Sequence, residues 1–247
     1  MYNEKEVFMK LFVTDYDETF YISDNEIKEN IKKIKKLKEH DFLFIIATGR
    51  SYPSIKNQTK LFNIPYDYLI TSDGSIIYDK NNDIVKMFNI NKDAVSIMNE
   101  FYQKLDYEEI QYSYKEGYQN FYDENKELLG INICISNRLY NEKLEKRFLK
   151  LKNKYSNYNF LAYRHTNYSY LCIKPKNVNK SYAINYLKDL LNIKKKYIYV
   201  IGDSSNDIEM IHDFKGAAMI SSYPDVLKIT KKRFKSVSDY IDSIIND

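Results

Sequence analysis

The feature that most constrains the fold of this chain is a pair of carboxylates directly after its first apolar run. Leu11-Phe12-Val13-Thr14 reads as a strand buried on both faces, and Asp15-Tyr16-Asp17-Glu18-Thr19 comes next. A buried ionised carboxylate is costly unless it meets a cation or hydrogen-bond donors. An Asp-rich turn would explain these five residues taken alone. A functional site becomes the better interpretation if other strands end in the same way.

Two further apolar runs also end in polar residues. Phe42–Ala47 is followed by Thr48-Gly49-Arg50, and residues 197–201 are followed by Gly202-Asp203-Ser204-Ser205-Asn206-Asp207. The capping box Ser23-Asp24-Asn25-Glu26 predicts a helix between the first two strands, which makes a βαβ unit. The carboxyl ends of parallel strands meet at one edge of the sheet, where open α/β sheets bind ligands. The sequence therefore predicts a site assembled from three strand ends.

The middle of the chain has a different pattern. A helical periodicity begins near residue 91, and tyrosine-rich β-like pieces follow at 107–114 and 118–123. A strand, a second helix and two more strands come next. Helix followed by strands, given twice, predicts an α+β module with its own sheet. We therefore expect a discontinuous core of residues 1–89 and 177–247, with an inserted module of residues 90–176.

Composition is that of an ordinary globular protein. Of the 247 residues, 44% are hydrophobic and 29% charged. The net charge of +4 is small and the lysines are spread out, so we expect no nucleic-acid partner. No apolar run approaches membrane-spanning length, so no membrane partner is expected either. The polar start and two cysteines favour a reduced, cytoplasmic location. Residues 1–8 precede the first strand and are interpreted as a dispensable extension.

The carboxylates at the predicted sheet edge need a counter-charge. Asp15, Asp17, Asp203 and Asp207 would gather there. Two like charges roughly 4 Å apart repel by about 4 kcal/mol at an effective dielectric constant near 20. A divalent cation would relieve this repulsion. Ligands that are all oxygen, with no histidine or thiol in these motifs, favour Mg²⁺.

Together these segments resemble the haloacid dehalogenase superfamily of phosphohydrolases. The match is D-x-D-x-T at 15–19, T-G-R at 48–50, a lysine at a helix start at position 180, and G-D-x-x-N-D at 202–207. Each motif is short, but all four occur in order and each lies at a strand end or helix start. The inserted module at 90–176 is similar in position to the C2-type cap (type IIB) of the Cof-like branch. The resemblance implies an α/β fold: a Rossmann-like parallel-sheet core with an inserted α+β cap domain.

The resemblance also implies a role for each matching residue. Asp15 would be the nucleophile that forms an aspartyl-phosphate. Asp17 would be the general acid and base, which protonates the leaving oxygen and then activates water. The cofactor would be Mg²⁺, held by Asp15, the backbone carbonyl of Asp17 and Asp203, with Asp207 close behind. The phosphoryl oxygens would be held by the following residues: Tyr16 through its backbone, Thr48, Gly49, Lys180 and Asn206.

Two residues depart from the family pattern. Glu18 replaces the usual glycine and Phe20 the usual leucine. Phe20 is a mild change. Glu18 adds a negative charge beside the predicted phosphate entrance, so we expect it to raise KM through repulsion. Neither change touches the acids, and the predicted activity stands.

The leading hypothesis is a Mg²⁺-dependent phosphatase of small phosphorylated metabolites, with sugar phosphates as the expected substrates. A large cap between Thr48 and Lys180 resembles the arrangement in sugar phosphatases. Two alternatives stay open: a phosphomutase of the same fold, and a non-catalytic binding module with a decayed site. Tyrosines within 112–122 and 163–170 are candidates for the pocket roof, although ordinary packing is favoured for them. A monomer or weak dimer is expected.

Overall fold

The computed structural model of the protein describes residues 9–102, 105–164 and 167–246, so the extension predicted for residues 1–8 lies outside the described residues. Its strands are β1 Lys10–Thr14, β2 Phe42–Ala47, β3 Tyr68–Thr71, β4 Ile76–Asp79, β5 Ile84–Met87, β6 Glu109–Tyr114, β7 Gly117–Gln119, β8 Gly130–Ser136, β9 Tyr158–Arg164, β10 Tyr168–Pro175, β11 Ile198–Gly202, β12 Ala217–Met219 and β13 Arg233–Phe234. Its helices are α1 Asp24–Lys38, α2 Tyr52–Phe62, α3 Asp93–Tyr102, α4 Glu142–Leu149, α5 Leu151–Lys154, α6 Lys180–Leu190, α7 Ile208–Asp213, α8 Pro224–Ile229 and α9 Val237–Ile245.

The larger sheet has eight strands in the order β13-β12-β11-β1-β2-β3-β4-β5. The six strands from β13 to β3 run parallel, while β4 and β5 pair antiparallel at one edge. Strand β1 is central: Val13 lies opposite Val200 of β11 on one side and Ile45 of β2 on the other. The predicted α/β fold with a parallel core is confirmed.

Helices cover both faces of this sheet because its central strands are apolar on both faces. Phe12 packs into a cluster that contains Ile27 of α1 and Ile241 of α9. Its neighbour Val13 packs into a second cluster, which contains Ile184 of α6 and other residues of α6 and α7. Successive side chains of a strand point to opposite faces. The central strands are therefore covered on both faces, and the polar motifs lie just beyond their carboxyl ends.

The smaller sheet has five antiparallel strands in the order β7-β6-β8-β10-β9. Strand β8 alternates, with Ile131, Ile133 and Ile135 in the apolar cluster that also contains Phe101 of α3 and Phe148 of α4. The residues between these isoleucines face the other side, toward the carboxyl edge of the larger sheet. The second sheet matches the expected cap, and the domain limits at 89/90 and 176/177 stay a prediction.

The β-like piece predicted at 118–123 is shorter than expected, because β7 ends at Gln119. Beyond it the chain forms turns: the amide of Asp123 donates to the Tyr114 hydroxyl at 2.7 Å, and the amide of Lys126 donates to the Asp123 carbonyl at 3.3 Å. These local bonds replace the ladder bonds of a longer strand. Among the described residues, no helix has the length and apolar character needed to cross a membrane.

Candidate active site

Asp15 is the first residue beyond β1, and the sheet itself fixes its position. Its backbone amide donates to the carbonyl of Ile201 in β11 at 3.0 Å, which extends the parallel ladder by one residue. The side chain is 5% exposed and lies at the carboxyl edge of the sheet. The next residue, Tyr16, points into the apolar core, and its hydroxyl donates to Gln58 Oε1 at 3.2 Å. Only the backbone of Tyr16 is thus left to serve the site.

Lys180 is the cation of the site. It is the first residue of α6, whose N-cap Asn179 accepts a hydrogen bond from the Tyr182 amide. The lysine is fully buried, and its Nζ lies 2.5 Å from Asp15 Oδ1 and 2.7 Å from Asp207 Oδ1. Burial by itself would lower the pKa of Lys180, but these two carboxylates outweigh burial and raise that pKa. The ammonium therefore stays charged.

The loop after β11 is closed by Asp207. Its Oδ2 accepts hydrogen bonds from the amides of Asp203 at 3.1 Å and Ser204 at 3.0 Å. Gly202 is required here, because a Cβ at that position would lie 2.4 Å from the Asp207 side chain. Asp203 is oriented separately: the hydroxyl of Thr19 donates to its Oδ1 at 2.6 Å. The first and last motifs of the sequence are thus joined directly.

Three of the predicted metal ligands form one buried acidic cluster. Oxygens of Asp15, Asp203 and Asp207 lie within 4.8 Å of one another. Burial raises the pKa of Asp203 to about 7, and the charge of Asp207 adds to the rise. Three carboxylates and the one ammonium of Lys180 sum to −3 + 1 = −2 when all are ionised. A divalent cation matches this residual charge, and an all-oxygen donor set suits Mg²⁺.

Asp17 lies apart from this cluster and is bound by Arg50. The guanidinium Nε donates to Asp17 Oδ2 at 2.8 Å and Nη2 donates to Oδ1 at 2.6 Å, a bidentate pair. The two side chains are 49% and 30% exposed, respectively. Arg50 follows Thr48, which is buried and whose hydroxyl accepts from the Arg50 amide at 3.1 Å. The pairing of Arg50 with Asp17 was not predicted from the sequence.

Asp73 is a site residue that sequence reasoning missed. It follows β3, and its Oδ1 accepts from Asn206 Nδ2 at 2.9 Å. The same oxygen would be 2.9 Å from a Cβ at position 49, so Gly49 leaves room for it. On its other side lies the fully buried Lys174, with Nζ 3.6 Å from Asp73 Oδ2. A signal was present, since Ser72-Asp73-Gly74 ends a fourth apolar strand as the other motifs do.

These residues surround a cavity of about 300 Å³ between the two sheets. Six of the predicted site residues line the cavity from the carboxyl edge of the larger sheet, whereas Tyr16, Lys180 and Asp207 are not part of the lining. The Tyr118 hydroxyl reaches across and donates to the Gly49 carbonyl at 2.8 Å. From the smaller sheet the lining consists of Gln111, Tyr118, Asn132, Tyr163, Tyr170 and Cys172. Tyr118, Tyr163 and Tyr170 therefore form part of the roof, whereas Tyr112 and Tyr114 pack in the apolar cluster.

Glu18 stands at the mouth of the cavity with an unfavourable backbone. It is exposed, lines the cavity and has φ of 57°, in the left-handed region that favours glycine. Its charge also adds to the rise in the pKa of Asp203. Glu18 therefore costs conformational energy at its own position and acts electrostatically on the acidic cluster.

Comparison with known proteins agrees with this geometry. A family model described as sucrose-6F-phosphate phosphohydrolase matches residues 8–239. A phosphoglycolate phosphatase of Sulfurisphaera tokodaii is 29% identical over 252 residues, which cover 96% of this chain and 95% of that protein. A 5-amino-6-(5-phospho-D-ribitylamino)uracil phosphatase of Bacillus subtilis is 24% identical over 249 residues, or 98% and 94% of the two chains.

A solved structure extends the likeness to the fold. The sucrose-phosphatase from Synechocystis sp. PCC6803, in complex with sucrose and phosphate, superposes with a TM-score of 0.74 at 19% identity, over 97% of this chain and 98% of that one. At this identity the match concerns the fold alone. The predicted resemblance to Cof-like haloacid dehalogenase phosphohydrolases is confirmed. The chain belongs to the sucrose-6F-phosphate phosphohydrolase family within the haloacid dehalogenase superfamily, and it is a phosphoric monoester hydrolase of that superfamily.

Proposed function

We propose that this hydrolase is Mg²⁺-dependent and cleaves small phosphate esters, sugar phosphates in particular, through a phosphorylated Asp15. One observation carries the proposal: Asp15 lies 2.5 Å from a fully buried lysine, within an acidic cluster beneath a small cavity. A carboxylate can attack a phosphate dianion only where the negative charges are neutralised. The cluster, the lysine and a divalent cation together would supply that neutralisation.

The carboxylates of Asp15 and Asp203 and the backbone carbonyl of Asp17 would hold the metal. Oδ1 of Asp203 accepts from Thr19, and its other oxygen has no hydrogen bond from a residue within the described ranges. Both oxygens of Asp207 accept hydrogen bonds, so its main contribution would be charge and the positioning of Lys180. When bound, the metal would neutralise the nucleophile and the phosphate together. Oxygen-only ligands support Mg²⁺ over softer metals.

The proposed chemistry has two steps. An oxygen of Asp15 attacks phosphorus, the ester P–O bond breaks, and the leaving oxygen takes a proton from Asp17. Water then attacks the aspartyl-phosphate, Asp17 accepts its proton, and free phosphate leaves with Asp15 restored. The phosphoryl oxygens would be held by the following groups: the Tyr16 backbone, Thr48, Gly49, Lys180 and Asn206.

The Asp17–Arg50 pair sets a condition on this chemistry. Both oxygens of Asp17 accept from the guanidinium, so neither is free to serve the leaving oxygen while the pair is closed. The proposed proton transfer therefore requires the pair to open when substrate binds and Asp17 to take up a proton from solvent, which it then gives to the leaving oxygen. A phosphate dianion is a competing partner for Arg50, and this competition would release Asp17 when substrate is present.

Cavity size and lining support a small, polar leaving group. A volume of about 300 Å³ is at the lower end for ligand pockets, and the roof carries amide and phenol groups. The relatives are named for different phosphate esters: phosphoglycolate in one, a phosphorylated ribitylamino-uracil in another, and sucrose phosphate in the family's name. Two of these three carry several hydroxyl groups, which favours sugar or sugar-alcohol phosphates.

Metal removal tests the proposal. We expect EDTA to abolish phosphate release and Mg²⁺ to restore it, whereas Ca²⁺ should restore it poorly because its larger, looser shell misplaces nucleophile and phosphate. The measurement is free phosphate from a panel of sugar, nucleotide and cofactor phosphates, with p-nitrophenyl phosphate as a generic substrate. Free phosphate also separates hydrolysis from phosphate transfer within a sugar. Full turnover in metal-free buffer would overturn the proposed metal dependence.

Glu18 gives a second test, because two substitutions separate its charge from its backbone. Glu18→Gln removes only the charge, so KM should fall at low ionic strength and the gain should shrink in high salt. Glu18→Gly should also relieve the left-handed backbone and stabilise the fold by about 1 kcal/mol. Thermal unfolding and kcat/KM measured on both variants check this. Equal kinetics for wild type and Glu18→Gln at low salt would mean that the charge is a bystander.

A further inference from the structure

The roof of the cavity carries a pair of amides that the proposed chemistry does not use. Gln111 of β6 and Asn132 of β8 are direct cross-strand partners, and both line the cavity. Asn132 is 7% exposed, yet its Oδ1 accepts no hydrogen bond from any residue of the described chain. A buried acceptor without a partner costs about 1–3 kcal/mol. Such a group calls for an explanation, and a ligand that donates a hydrogen bond supplies one.

The neighbours of Asn132 do not satisfy it. On its other side in the sheet lies Cys172, and its thiol makes no hydrogen bond to Asn132 Oδ1. Gln111 is held by its neighbour two residues away on the same face of β6, because its Nε2 donates to Glu109 Oε2 at 2.9 Å. An amide nitrogen has two hydrogens, so the second hydrogen of Nε2 is left for the cavity. Gln111 and Asn132 together therefore offer at least one hydrogen-bond acceptor and one donor side by side.

The charges of the cavity narrow the kind of ligand further. Arg50 is the only cation among the described residues of the lining, and it is occupied by Asp17 or, once substrate binds, by the phosphate group. Glu18 adds a negative charge to the lining, whereas the charge of Asp73 is offset by Lys174, whose Nζ lies 3.6 Å away. An anionic leaving group would meet Glu18 with no free cation in the described lining to offset the repulsion. A hydroxyl group both donates and accepts, which matches the acceptor of Asn132 and the donor of Gln111.

We infer that Asn132 and Gln111 are specificity-determining residues that bind hydroxyl groups of an uncharged, polyhydroxylated leaving group. The inference rests on the proposed phosphatase function and adds to it the two side chains that select the substrate. Sites built to hydrogen-bond a hydroxyl discriminate strongly against analogues that lack it, because their polar groups are then left unpaired. The discrimination should therefore appear in the ratio of kcat/KM for substrates with hydroxyl groups to kcat/KM for substrates without them.

The test compares two substrates on one protein. The kcat/KM for hexose and pentitol phosphates is divided by that for p-nitrophenyl phosphate, whose leaving group has no aliphatic hydroxyl. Asn132→Leu, a change of similar size, should lower this ratio about tenfold, mainly through KM. Gln111→Leu should also lower this ratio. This second variant tests the inference if Asn132→Leu folds poorly. Asn153→Leu, an exposed change on α5, is the matched control and should leave the ratio at the wild-type value.

Stability gives a separate readout. Because leucine removes an unpaired polar group, Asn132→Leu should keep or raise the Tm, whereas a purely structural role for Asn132 predicts a lower Tm. The wild type should also prefer the hydroxylated substrates over phosphoglycolate. An unchanged ratio in both variants, or a higher kcat/KM for phosphoglycolate, overturns the inference. If the wild type releases no phosphate from any substrate with Mg²⁺, it is the proposed function that fails.

Discussion

Replacing Asp15 with asparagine should lower phosphate release at least about 10⁴-fold, because the variant has no anionic oxygen to attack phosphorus. Asparagine keeps the size of the side chain and an oxygen that can accept from Lys180. It also removes one of three clustered carboxylates. Burial raises the pKa of Asp15 well above its ordinary value, and Asp207 and Asp203 add to that rise against the pull of Lys180. The ionised side chain is therefore costly in the metal-free fold, and the variant should keep its Tm.

The matched control is Asp73→Asn, which makes the same substitution in the same cavity. Asp73 accepts from Asn206 and lies 3.6 Å from Lys174, but it is not among the clustered acids. We expect it to lose less than about tenfold in kcat/KM. Phosphate release, Tm and labelled phosphate trapped on the protein after a rapid quench are the measurements. Substantial turnover by Asp15→Asn, or equal losses in the two variants, would remove Asp15 from the proposed role.

Local sequence patterns predicted the framework of the site. The sequence predicts that Asp15 and Asp203 lie close together, because each follows an uninterrupted apolar run and parallel strands end at one edge of the sheet. Lys180 was placed by the start of a helical pattern and by the family resemblance. Its two contacts with Asp15 and Asp207 then follow from where α6 begins. These inferences need only the ends of secondary-structure elements.

Other features depend on how the two sheets meet, which no local pattern encodes. Arg50 belongs to a predicted motif, yet its pairing with Asp17 requires the loops after β1 and β2 to lie side by side. Lys174 reaches Asp73 across the junction of the sheets, more than ninety positions away in the chain. The tyrosines of the roof could not be predicted, because tyrosine is abundant in this chain. Nothing in the sequence distinguishes Tyr114, which packs in the core, from Tyr118, which lines the cavity.

Replacing Lys180 with methionine should cost both activity and stability. The fully buried ammonium is the partner of two buried carboxylates, and removing one member of such a pair destabilises by about 3–5 kcal/mol. The cluster would then hold −3, offset by no lysine. Phosphate release should fall on the order of 10²–10³-fold, because the nucleophile and the phosphate both lose a fixed positive charge.

The loss of stability should depend on pH, and the sign follows from the carboxylates. The folded-state pKa values of Asp15 and Asp203 are raised, to about 7 for Asp203, so the folded protein holds protons that the unfolded chain releases. The contribution of these two groups to stability is then fully present at low pH and is lost as pH rises through those values. Without Lys180 the values rise further. The deficit of Lys180→Met in metal-free buffer should therefore be larger at pH 8 than at pH 5.

Lys174→Met is the control, since Lys174 is also fully buried. Its ion-pair partner is Asp73, which is 3.6 Å away and lies outside the acidic cluster. Its stability loss should be smaller and should not respond to Mg²⁺. In Lys180→Met, by contrast, Mg²⁺ should recover part of the lost stability, because a cation bound only by the folded state stabilises it by mass action. Denaturant unfolding of both variants at pH 5 and pH 8, with and without Mg²⁺, measures the loss of stability and its dependence on pH and metal. Equal losses with the same pH and metal dependence would show that Lys180 is not the counter-charge of the cluster.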